Sequence, residues 1–434
     1  MLYLDKEIET LPRNQLEKLQ LQKLQSMMSG LWCENDFYTR KWEAEDVRPE
    51  DIRTLADIPK LPITTKSELV QDQADNGPFG SNLTYSIDKY VRFHQTSGTT
   101  GQPLKVMDTE ESWDWWGKCW AYVLSGAGLT PHDRVFMAFA FGPFVGFWAA
   151  VEGARKLSTI LIPGGGRDSM QRLELMRDMG ATVLACTPTY ALRLAEVARE
   201  TGFNMGEIPI RSTIHAGEPG ANIPTTKKRI EDVWAAKCFD HAGASEVGAH
   251  SFECELQPGG THLIESEFIA EVLDPVTLEP VAVGDKGELV ITNLGRWAFP
   301  VVRYRTGDMV RANLDQCGCG RTFMRFDGGV IGRVDDMVTV RGVNVFPTAV
   351  ENIIRQFDEV IEFRITVHTV KFMDEMEIEF ELADGTDAVL FNEIGEKLYA
   401  MLGFRPIIQA VQRGSLPRFD MKAKRFHVKK DSAG

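Results

Sequence analysis

Strand-like and helix-like segments alternate along the middle of the chain, and this alternation restricts the fold more than any other feature. The predicted strands span residues 134–141, 159–163, 182–186 and 212–215, and the predicted helices span 145–155, 169–179, 190–201 and 224–233. Such alternation predicts a parallel sheet covered by helices. We therefore expect an α/β fold whose ligands gather at the carboxyl ends of the strands.

The two ends of the chain show other patterns. Residues 1–60 have helical spacing, Thr64 or Thr65 is placed to cap a short helix, and 110–126 predicts a Trp-rich helix. Strands are predicted at 268–273, 287–292 and 301–304, followed by a helix at 348–357, strands at 362–369 and 375–382, and a helix at 392–402. We predict an N-terminal domain over 1–331, with a β-rich subdomain over about 251–331, and a small mobile α+β C-terminal domain over 332–434.

Composition excludes several classes of protein. A chain of 434 residues predicts two or three domains. The formal charge of −14 argues against a nucleic-acid partner, because phosphate backbones require a basic surface. There is no apolar run long enough to span a membrane, the N-terminus lacks a signal-like apolar region, and the cysteine count is odd. We expect a cytoplasmic protein without membrane or nucleic-acid partners, and a homodimer is the candidate assembly.

The stretch His94–Lys105, HQTSGTTGQPLK, has the composition of a phosphate-binding loop. It places Ser97, Gly98, Thr99, Thr100 and Gly101 directly after a strand-like run. Glycine lets the backbone approach a ligand, and successive N–H groups form an anion-binding concavity. A surface turn has similar residues. The lysine spacing of an ordinary P-loop is absent.

Four further polar stretches accompany this loop. They are HAGEPG at 215–220, DHAGASEVG at 240–248, VVRYRTGDMV at 301–310 and GSLPRFDMKAKR at 414–425. In this order, with GRVDDMVTVRG at 332–342, they resemble the adenylate-forming superfamily of acyl-CoA synthetases. LPITTKSEL at 61–69, RGVNVFP at 341–347 and GSLPR resemble its phenylacetate–CoA ligase family.

The resemblance implies roles for individual residues. The loop Ser97–Gly101 would hold the β- and γ-phosphates of ATP, Glu246 would hold Mg²⁺, and Lys422 would reach the carboxylate and the α-phosphate. The other implied nucleotide-binding residues are Gly217, Glu218, Pro219, Asp240, Ser245, Asp308 and Arg333. Asp335 would be the hinge of the small domain, and Arg341 and Gly342 would help to admit CoA.

Three positions depart from the family pattern. Gln102 stands where the phosphate loop usually carries a lysine, and Ala242 stands where an aromatic residue often stacks on adenine. Lys424 lies two residues after Lys422 and is the alternative catalytic lysine.

The stretch AFAFGPFVGF at 138–147 supplies Phe139, Phe141, Phe144 and Phe147. In the resembling family this stretch lines an aryl pocket, which Ala242 and Gly243 would complete. Aromatic rings pack well on an aromatic acid, although some of these residues must belong to the core. His215 is either a core histidine or a partner for a hydroxyl or amino substituent on the acid.

Cys254, His262, Cys317 and Cys319 predict a structural zinc site, with His250 as a competing ligand. Three thiolates and one imidazole make a closed tetrahedral set. The overall prediction is an aryl-acid–CoA ligase that uses ATP, Mg²⁺ and CoA. The alternatives are an adenylyltransferase acting on a phenolic acceptor without CoA and a non-catalytic nucleotide-binding protein.

Overall fold

The computed structural model describes residues 3–96, 102–139, 142–334, 338–341, 343–370, 373–383, 386, 389–419 and 424–429. Nine helices in its first part are α1 Lys6–Glu9, α2 Arg13–Leu31, α3 Asp36–Ala44, α4 Lys66–Asp75, α5 Glu110–Gly126, α6 Val145–Lys156, α7 Ser169–Asp178, α8 Pro188–Thr201 and α9 Pro224–Trp234. Short 3₁₀ helices occupy Pro49–Asp51, Leu55–Lys60, Ile87–Lys89 and Met205–Glu207. Residues 3–60 are thus largely helical, as predicted.

The strands of the same part of the chain form a hairpin and a large mixed sheet. The strands are β1 Tyr90–Gln95, β2 Lys105–Thr109, β3 Arg134–Met137, β4 Ile160–Pro163, β5 Val183–Cys186, β6 Ser212–His215, β7 Lys237–Ala244, β8 Gly248–Glu253, β9 Gly260–Leu263, β10 Phe268–Leu273, β11 Lys286–Asn293, β12 Tyr304–Asn313, β13 Arg325–Asp327 and β14 Gly332–Arg333. Within the described ranges, β1 and β2 pair only with each other. The large sheet has the order β10-β11-β12-β13-β9-β8-β7-β6-β5-β3-β4, with β14 paired to β12.

The large sheet changes from parallel to antiparallel strand pairing at β7. Strands β4, β3, β5, β6 and β7 are parallel, and the pairs from β7–β8 onward are antiparallel. The predicted parallel sheet is therefore confirmed for the strands that alternate with helices. The β-rich part is hydrogen-bonded to it through β7, because a parallel strand that is followed by a tight turn can pair with the next strand in the antiparallel sense.

Local sequence signals explain most element boundaries. Thr109 caps α5 by accepting a hydrogen bond from the Ser112 N–H, and Thr65 caps α4 in the same way with Glu68. The predicted strand at 301–304 is wrong except for its last residue. Arg303 has a φ of 46°, which is incompatible with an extended strand, so β12 begins only at Tyr304.

A second core lies in the C-terminal part of the chain. Its elements are β15 Val338–Val340, β16 Val343–Val345, α10 Pro347–Ile354, β17 Val360–Val370, β18 Met373–Leu382, α11 Val389–Leu402, β19 Ile407–Ala410 and β20 Phe426–Lys429. Four of the strands form a sheet in the order β19-β18-β17-β20, and its buried side chains pack against α10 and α11. None of the helices in the described ranges has the length and apolar character needed to cross a membrane.

Candidate active site and metal centre

Two polar turns meet at the carboxyl edge of the parallel strands. Gly217, Glu218 and Pro219 follow β6, and Ser245 and Glu246 follow β7. Because β6 and β7 are neighbouring parallel strands, both turns leave the same edge of the sheet. This is the edge at which ligands bind in such sheets.

Glu246 is the buried carboxylate of this edge. The Tyr304 hydroxyl donates a hydrogen bond to Glu246 Oε1 at 2.8 Å, and Lys66 Nζ lies 3.6 Å from the same oxygen. Burial and the neighbouring Glu246 charge raise the pKa of Tyr304 well above its usual value, so the hydroxyl keeps its proton and donates. Among the residues that the structure describes, none donates to Glu246 Oε2.

Lys66 reaches Glu246 because main-chain hydrogen bonds join its segment to β12. The Thr64 N–H donates to the Arg303 carbonyl at 2.9 Å, and the Arg305 N–H donates to the Thr64 carbonyl at 2.9 Å. The sequence indicated a helix cap here but did not predict that this lysine enters the site. The one available signal was the presence of this segment among the family-like motifs.

The two arginines of the β12 region have structural partners. Arg303 forms two hydrogen bonds with the Glu271 carboxylate, at 2.8 and 2.9 Å, and donates to the Leu61 carbonyl at 2.7 Å. Arg305 donates to Glu288 at 2.9 Å through Nε. These contacts hold the Lys66 segment and β11 against β12. The two arginines therefore support the site through structural contacts around it.

A buried ion pair connects the Glu246 turn to the β1–β2 hairpin. Arg296 forms two hydrogen bonds of 2.7 Å with Asp108, and both side chains are fully buried. The same guanidinium donates to the carbonyl oxygens of Ser245 at 2.8 Å and Glu246 at 3.1 Å. The turn is thereby tied to the hairpin whose strands flank residues 97–101. Sequence analysis missed this pair.

Asp308 and Arg333 face each other across β12 and β14. Arg333 Nη1 donates to Asp308 Oδ1 at 2.7 Å, and the two residues are partners in the strand register. Asp308 is partly buried, whereas the Arg333 side chain is 40% exposed. The structure therefore brings together the two residues that the resemblance assigns to the ribose and to the domain junction.

The turn after β6 packs against the start of α8. Gly217 has a φ of 93°, which favours glycine. Glu218 Oε1 accepts a hydrogen bond from the Thr189 N–H at 2.9 Å. Asn222, which follows in the same turn, donates to the Val330 carbonyl at 2.6 Å. These contacts fix the turn after β6 against α8 and against the segment before β14.

Asp240 lies in the middle of β7, where it pairs with His215 at the end of β6. Burial and the nearby Glu253 charge raise the pKa of Asp240 to about 7, and Lys227 opposes the shift. A side chain at Gly329 would place its Cβ 2.7 Å from Asp240 Oδ2, so the absence of a side chain there leaves room for the Asp240 carboxylate. The role of Gly329 was not predicted.

The predicted acyl-pocket residues have different environments. Phe139 is partly buried and packs against both cores of the large domain, and Phe144 is 40% exposed just before α6. Ala242 is partly buried and Gly243 is exposed on β7. A Cβ at Gly243 would lie 2.8 Å from the Gly248 carbonyl, so this position requires glycine.

His215 is fully buried at the end of β6. Its Nδ1 lies 3.1 Å from the Cys186 carbonyl, and its Nε2 lies 2.9 Å from Thr213 Oγ1. Burial lowers the pKa of His215 to about 3, so the ring is neutral. Both ring nitrogens thus have protein partners, which favours the core role of the two alternatives.

Several predicted residues lie outside the described residues. They are Ser97, Gly98, Thr99, Thr100, Gly101, Phe141, Asp335, Gly342 and Lys422. Arg341 is described and exposed, with a φ of 50° and Nη2 3.5 Å from Glu375. The alternative lysine, Lys424, is exposed.

Cys254, His262, Cys317 and Cys319 form a separate buried cluster, in which all four ligand atoms lie within 4.8 Å of one another. The Cys254 and Cys317 sulfurs are 3.6 Å apart, and Cys319 Sγ lies 3.5 Å from His262 Nε2. His262 Nδ1 faces the Phe323 carbonyl at 3.2 Å, which orients Nε2 toward the thiols.

The competing ligand His250 is not part of this cluster. The ring centroids of His250 and Phe268 are 6.3 Å apart, so this histidine packs on an aromatic side chain instead. The four residues that do meet are those of the predicted Cys₃His set.

Comparisons with known proteins agree with this geometry. A family model described as AMP-binding enzyme matches residues 49–296, and one described as AMP-binding enzyme C-terminal domain matches 342–430. The phenylacetate-coenzyme A ligase of Thermus thermophilus is 33% identical over 395 residues, which is 90% of this chain and 86% of the relative.

Solved structures of a 2-hydroxyisobutyryl-CoA ligase are also similar. Its postadenylation state in complex with 2-HIB-AMP has a TM-score of 0.94 at 29% identity, covering 100% of this chain and 93% of that chain. Its thioesterification state, with 2-HIB-AMP and CoA, has a TM-score of 0.76 at 30% identity, covering 99% and 93%. The two TM-scores show that this structure superposes more closely on the postadenylation state than on the thioesterification state. This chain belongs to the AMP-binding, adenylate-forming enzyme family, in its phenylacetate–CoA ligase-like branch.

Proposed function

We propose that this protein is an ATP-dependent aryl-acid–CoA ligase. It would convert a carboxylate and ATP into an acyl-adenylate and pyrophosphate, and then transfer the acyl group to CoA with release of AMP. The observation that carries the proposal is the meeting of Glu246, Tyr304 and Lys66 at the carboxyl edge of the sheet, with Asp308 farther along β12 and Arg333 beside it on β14.

The first half-reaction requires that negative charge be neutralised. The acid anion and ATP repel each other, so the carboxylate attacks the α-phosphorus only where cations surround the phosphates. Lys66 would supply one such charge and Lys422 another. Lys66 also makes up for Gln102, which stands where the phosphate loop usually carries a lysine.

Glu246 fits the role of a Mg²⁺ ligand. Tyr304 and Lys66 engage Oε1, whereas no described residue donates to Oε2. A carboxylate oxygen suits a hard cation that is bound partly through waters. Magnesium, when bound, would neutralise part of the negative charge on the phosphates as pyrophosphate leaves. Asp308 would accept hydrogen bonds from the ribose hydroxyls.

The second half-reaction would need only positioning. The CoA sulfur attacks the acyl carbon, the bond from that carbon to the AMP oxygen breaks, and the thiol proton is lost to solvent. Arg341 would contribute to the CoA side. The acid that we propose is aromatic, because Phe139 and Phe144 lie on the predicted aryl-pocket stretch and the Thermus thermophilus relative is named a phenylacetate-coenzyme A ligase.

A screen of pyrophosphate release tests the proposal. Aryl and short-chain alkyl acids, including a 2-hydroxy acid, are each supplied with ATP, with and without CoA. We expect the fastest release with aryl acids, and AMP release that depends on CoA. Turnover with a phenolic acceptor in place of CoA would favour the adenylyltransferase instead. No pyrophosphate from any acid would refute an enzymatic role.

We further propose that the Cys254–His262–Cys317–Cys319 cluster binds a structural Zn²⁺. Tetrahedral zinc with Zn–S bonds of about 2.3 Å places two sulfurs about 3.8 Å apart, and a sulfur and an imidazole nitrogen about 3.5 Å apart. The measured separations of 3.6 and 3.5 Å match these values. Four protein ligands would leave no position for a substrate, so the role is structural.

Metal analysis of protein purified without chelator tests the zinc proposal. We expect about one zinc per chain in the wild type and in Cys33→Ser, whose exposed cysteine lies outside the cluster. Cys317→Ser should lose most of the zinc and melt at a lower temperature. Wild-type protein without zinc would contradict the proposal. Such a cluster needs reduced thiols, which supports a cytoplasmic location; light scattering would establish whether the protein is a homodimer.

A further inference from the structure

Residues 3–13 lie against the turn between β12 and β13 that carries Cys317 and Cys319, which we call the cysteine turn. The Tyr3 hydroxyl donates a hydrogen bond to the Cys319 carbonyl, although 316 residues separate the two in the chain. Gly320 has a φ of 85°, and a Cβ at this position would lie 2.8 Å from the same hydroxyl oxygen. Tyr3 therefore fits beside the cysteine turn because residue 320 is a glycine.

A buried ion pair lies next to this contact. Arg321 donates through Nε to Glu9 Oε2, and both side chains are fully buried. The other carboxylate oxygen accepts the N–H groups of Leu4 at 2.7 Å and Asp5 at 2.8 Å. The Tyr3 ring lies over the guanidinium, with its centroid 4.8 Å from Arg321 Cζ. Breaking a buried ion pair is costly, so this pair holds residues 3–13 and the cysteine turn together.

Hydrogen bonds continue along the next residue of the cysteine turn. The Thr322 N–H donates to the Glu9 carbonyl at 3.0 Å, and the Thr322 hydroxyl donates to the Leu11 carbonyl at 2.6 Å. Arg13 donates to the Thr322 carbonyl at 2.7 Å. The contacts thus extend over the whole of residues 3–13, which we call the strap.

The strap holds the less regular half of the predicted metal cluster. Cys254 directly follows β8 and His262 lies on β9, and these two strands pair within the large sheet. Cys317 and Cys319 instead lie in the cysteine turn, outside the strands, and each is only 3% exposed. A bound ion therefore leaves only after a local opening, and the cysteine turn is the part that can open while the sheet stays intact.

We propose that the strap controls the opening of the cysteine turn and thereby the rate at which Zn²⁺ leaves the cluster. Tyr3 and Thr322 are the positioning residues, because their hydroxyls join the strap to the cysteine turn. The inference rests on the zinc centre of the proposed function and does not depend on the ligase reaction. Opening breaks the hydrogen bonds between the strap and the turn, so removing one of them should make opening more frequent. When zinc passes to a chelator, the freed thiolates take up protons from water.

Two conservative variants loosen the strap without changing a metal ligand. Tyr3→Phe removes the hydroxyl that reaches the cysteine turn and keeps the ring over Arg321. Thr322→Val removes the hydroxyl that reaches the strap, whereas Thr322→Ser keeps it. Thr159→Val is the matched control, because the Thr159 hydroxyl also donates to a carbonyl, that of Ala154 at 3.1 Å, just before the last strand of the large sheet.

Zinc release is measured by mixing zinc-loaded protein with a colorimetric chelator in excess, well below the melting temperature. Loss of one hydrogen bond should accelerate release about 2- to 13-fold in Tyr3→Phe and in Thr322→Val, and further in the double variant. Thr322→Ser and Thr159→Val should stay within about twofold of wild type. Thr322→Val and Thr159→Val should melt at similar temperatures, so that release and not stability distinguishes them. A release rate that is unchanged in the double variant, or raised equally in Thr159→Val, would overturn the proposal.

Thiol labelling tests the strap on protein that lacks zinc. The same opening exposes Cys317 and Cys319, so an alkylating reagent should modify them faster in the double variant than in the wild type. Peptide mass spectrometry distinguishes them from Cys33, which is exposed in any case. If the purified wild type carried no zinc, the metal proposal would fail by itself, and the labelling rates would still decide whether the strap controls the opening. Equal labelling of both cysteines in the wild type and the double variant would refute it.

Discussion

Replacing Lys66 with methionine tests the assignment of this lysine to the phosphates. Methionine retains an unbranched side chain of similar length and removes the charge. In the structure the ammonium lies 3.6 Å from Glu246 Oε1 and is 40% exposed. Solvent screens an ion pair of this kind, so the pair itself adds little to stability. We therefore expect the melting temperature of Lys66→Met to stay close to that of wild type.

Catalysis should respond much more strongly. With ATP bound, the ammonium would donate a charge-assisted hydrogen bond to a phosphate oxygen, which contributes about 1.5–3 kcal/mol. Loss of that contact lowers kcat/KM for ATP in the adenylation step by about 10- to 150-fold. Gln102 cannot compensate, because an amide carries no charge.

Pyrophosphate release at varied ATP concentration, without CoA, is the assay. Lys60→Met is the matched control, because Lys60 is exposed and pairs with Asp57, away from Glu246. A loss of less than about threefold in Lys66→Met, or an equal loss in Lys60→Met, would refute the assignment. Adding Gln102→Lys to Lys66→Met should restore part of the activity, since it returns a cation to the phosphate loop.

Two further predictions concern buried groups. The pKa of Asp240 is raised to about 7, so the stabilisation by its neutral form is complete below about pH 4 and is lost as the pH rises through 7. In urea denaturation, the free energy of unfolding of Asp240→Asn minus that of the wild type should increase between about pH 4 and pH 7, by up to about 4 kcal/mol. A difference that becomes smaller as the pH rises would contradict this prediction. His215→Phe should lower stability by about 1–3 kcal/mol, because Thr213 and the Cys186 carbonyl lose their partner. It should leave the preference between plain and hydroxy- or amino-substituted aryl acids unchanged, and a changed preference would place His215 in the pocket.

Much of the fold could be predicted from the sequence because helices and strands leave local periodic patterns. The predicted ranges for α5, β6 and β10 coincide with the observed ones, and the helices and strands between β3 and α9 occur in the predicted order. The strand predicted at 301–304 was wrong because the φ of Arg303 depends on its contacts with Glu271 and Leu61. Those partners are distant in the chain and leave no local pattern.

The same distinction between local patterns and contacts of distant segments applies to the candidate site. By itself, the sequence determined the residue types and their order: the Cys₃His set, the turns after β6 and β7, and the presence of Asp308 and Arg333 in the later motifs. Tertiary structure alone decided that Lys66 meets Glu246, that Asp108 and Arg296 tie the Glu246 turn to the hairpin, and that Glu9 pairs with Arg321. Turn chemistry is encoded by neighbouring residues. A contact between distant segments depends on strand register and side-chain direction, which exist only once the sheet has formed.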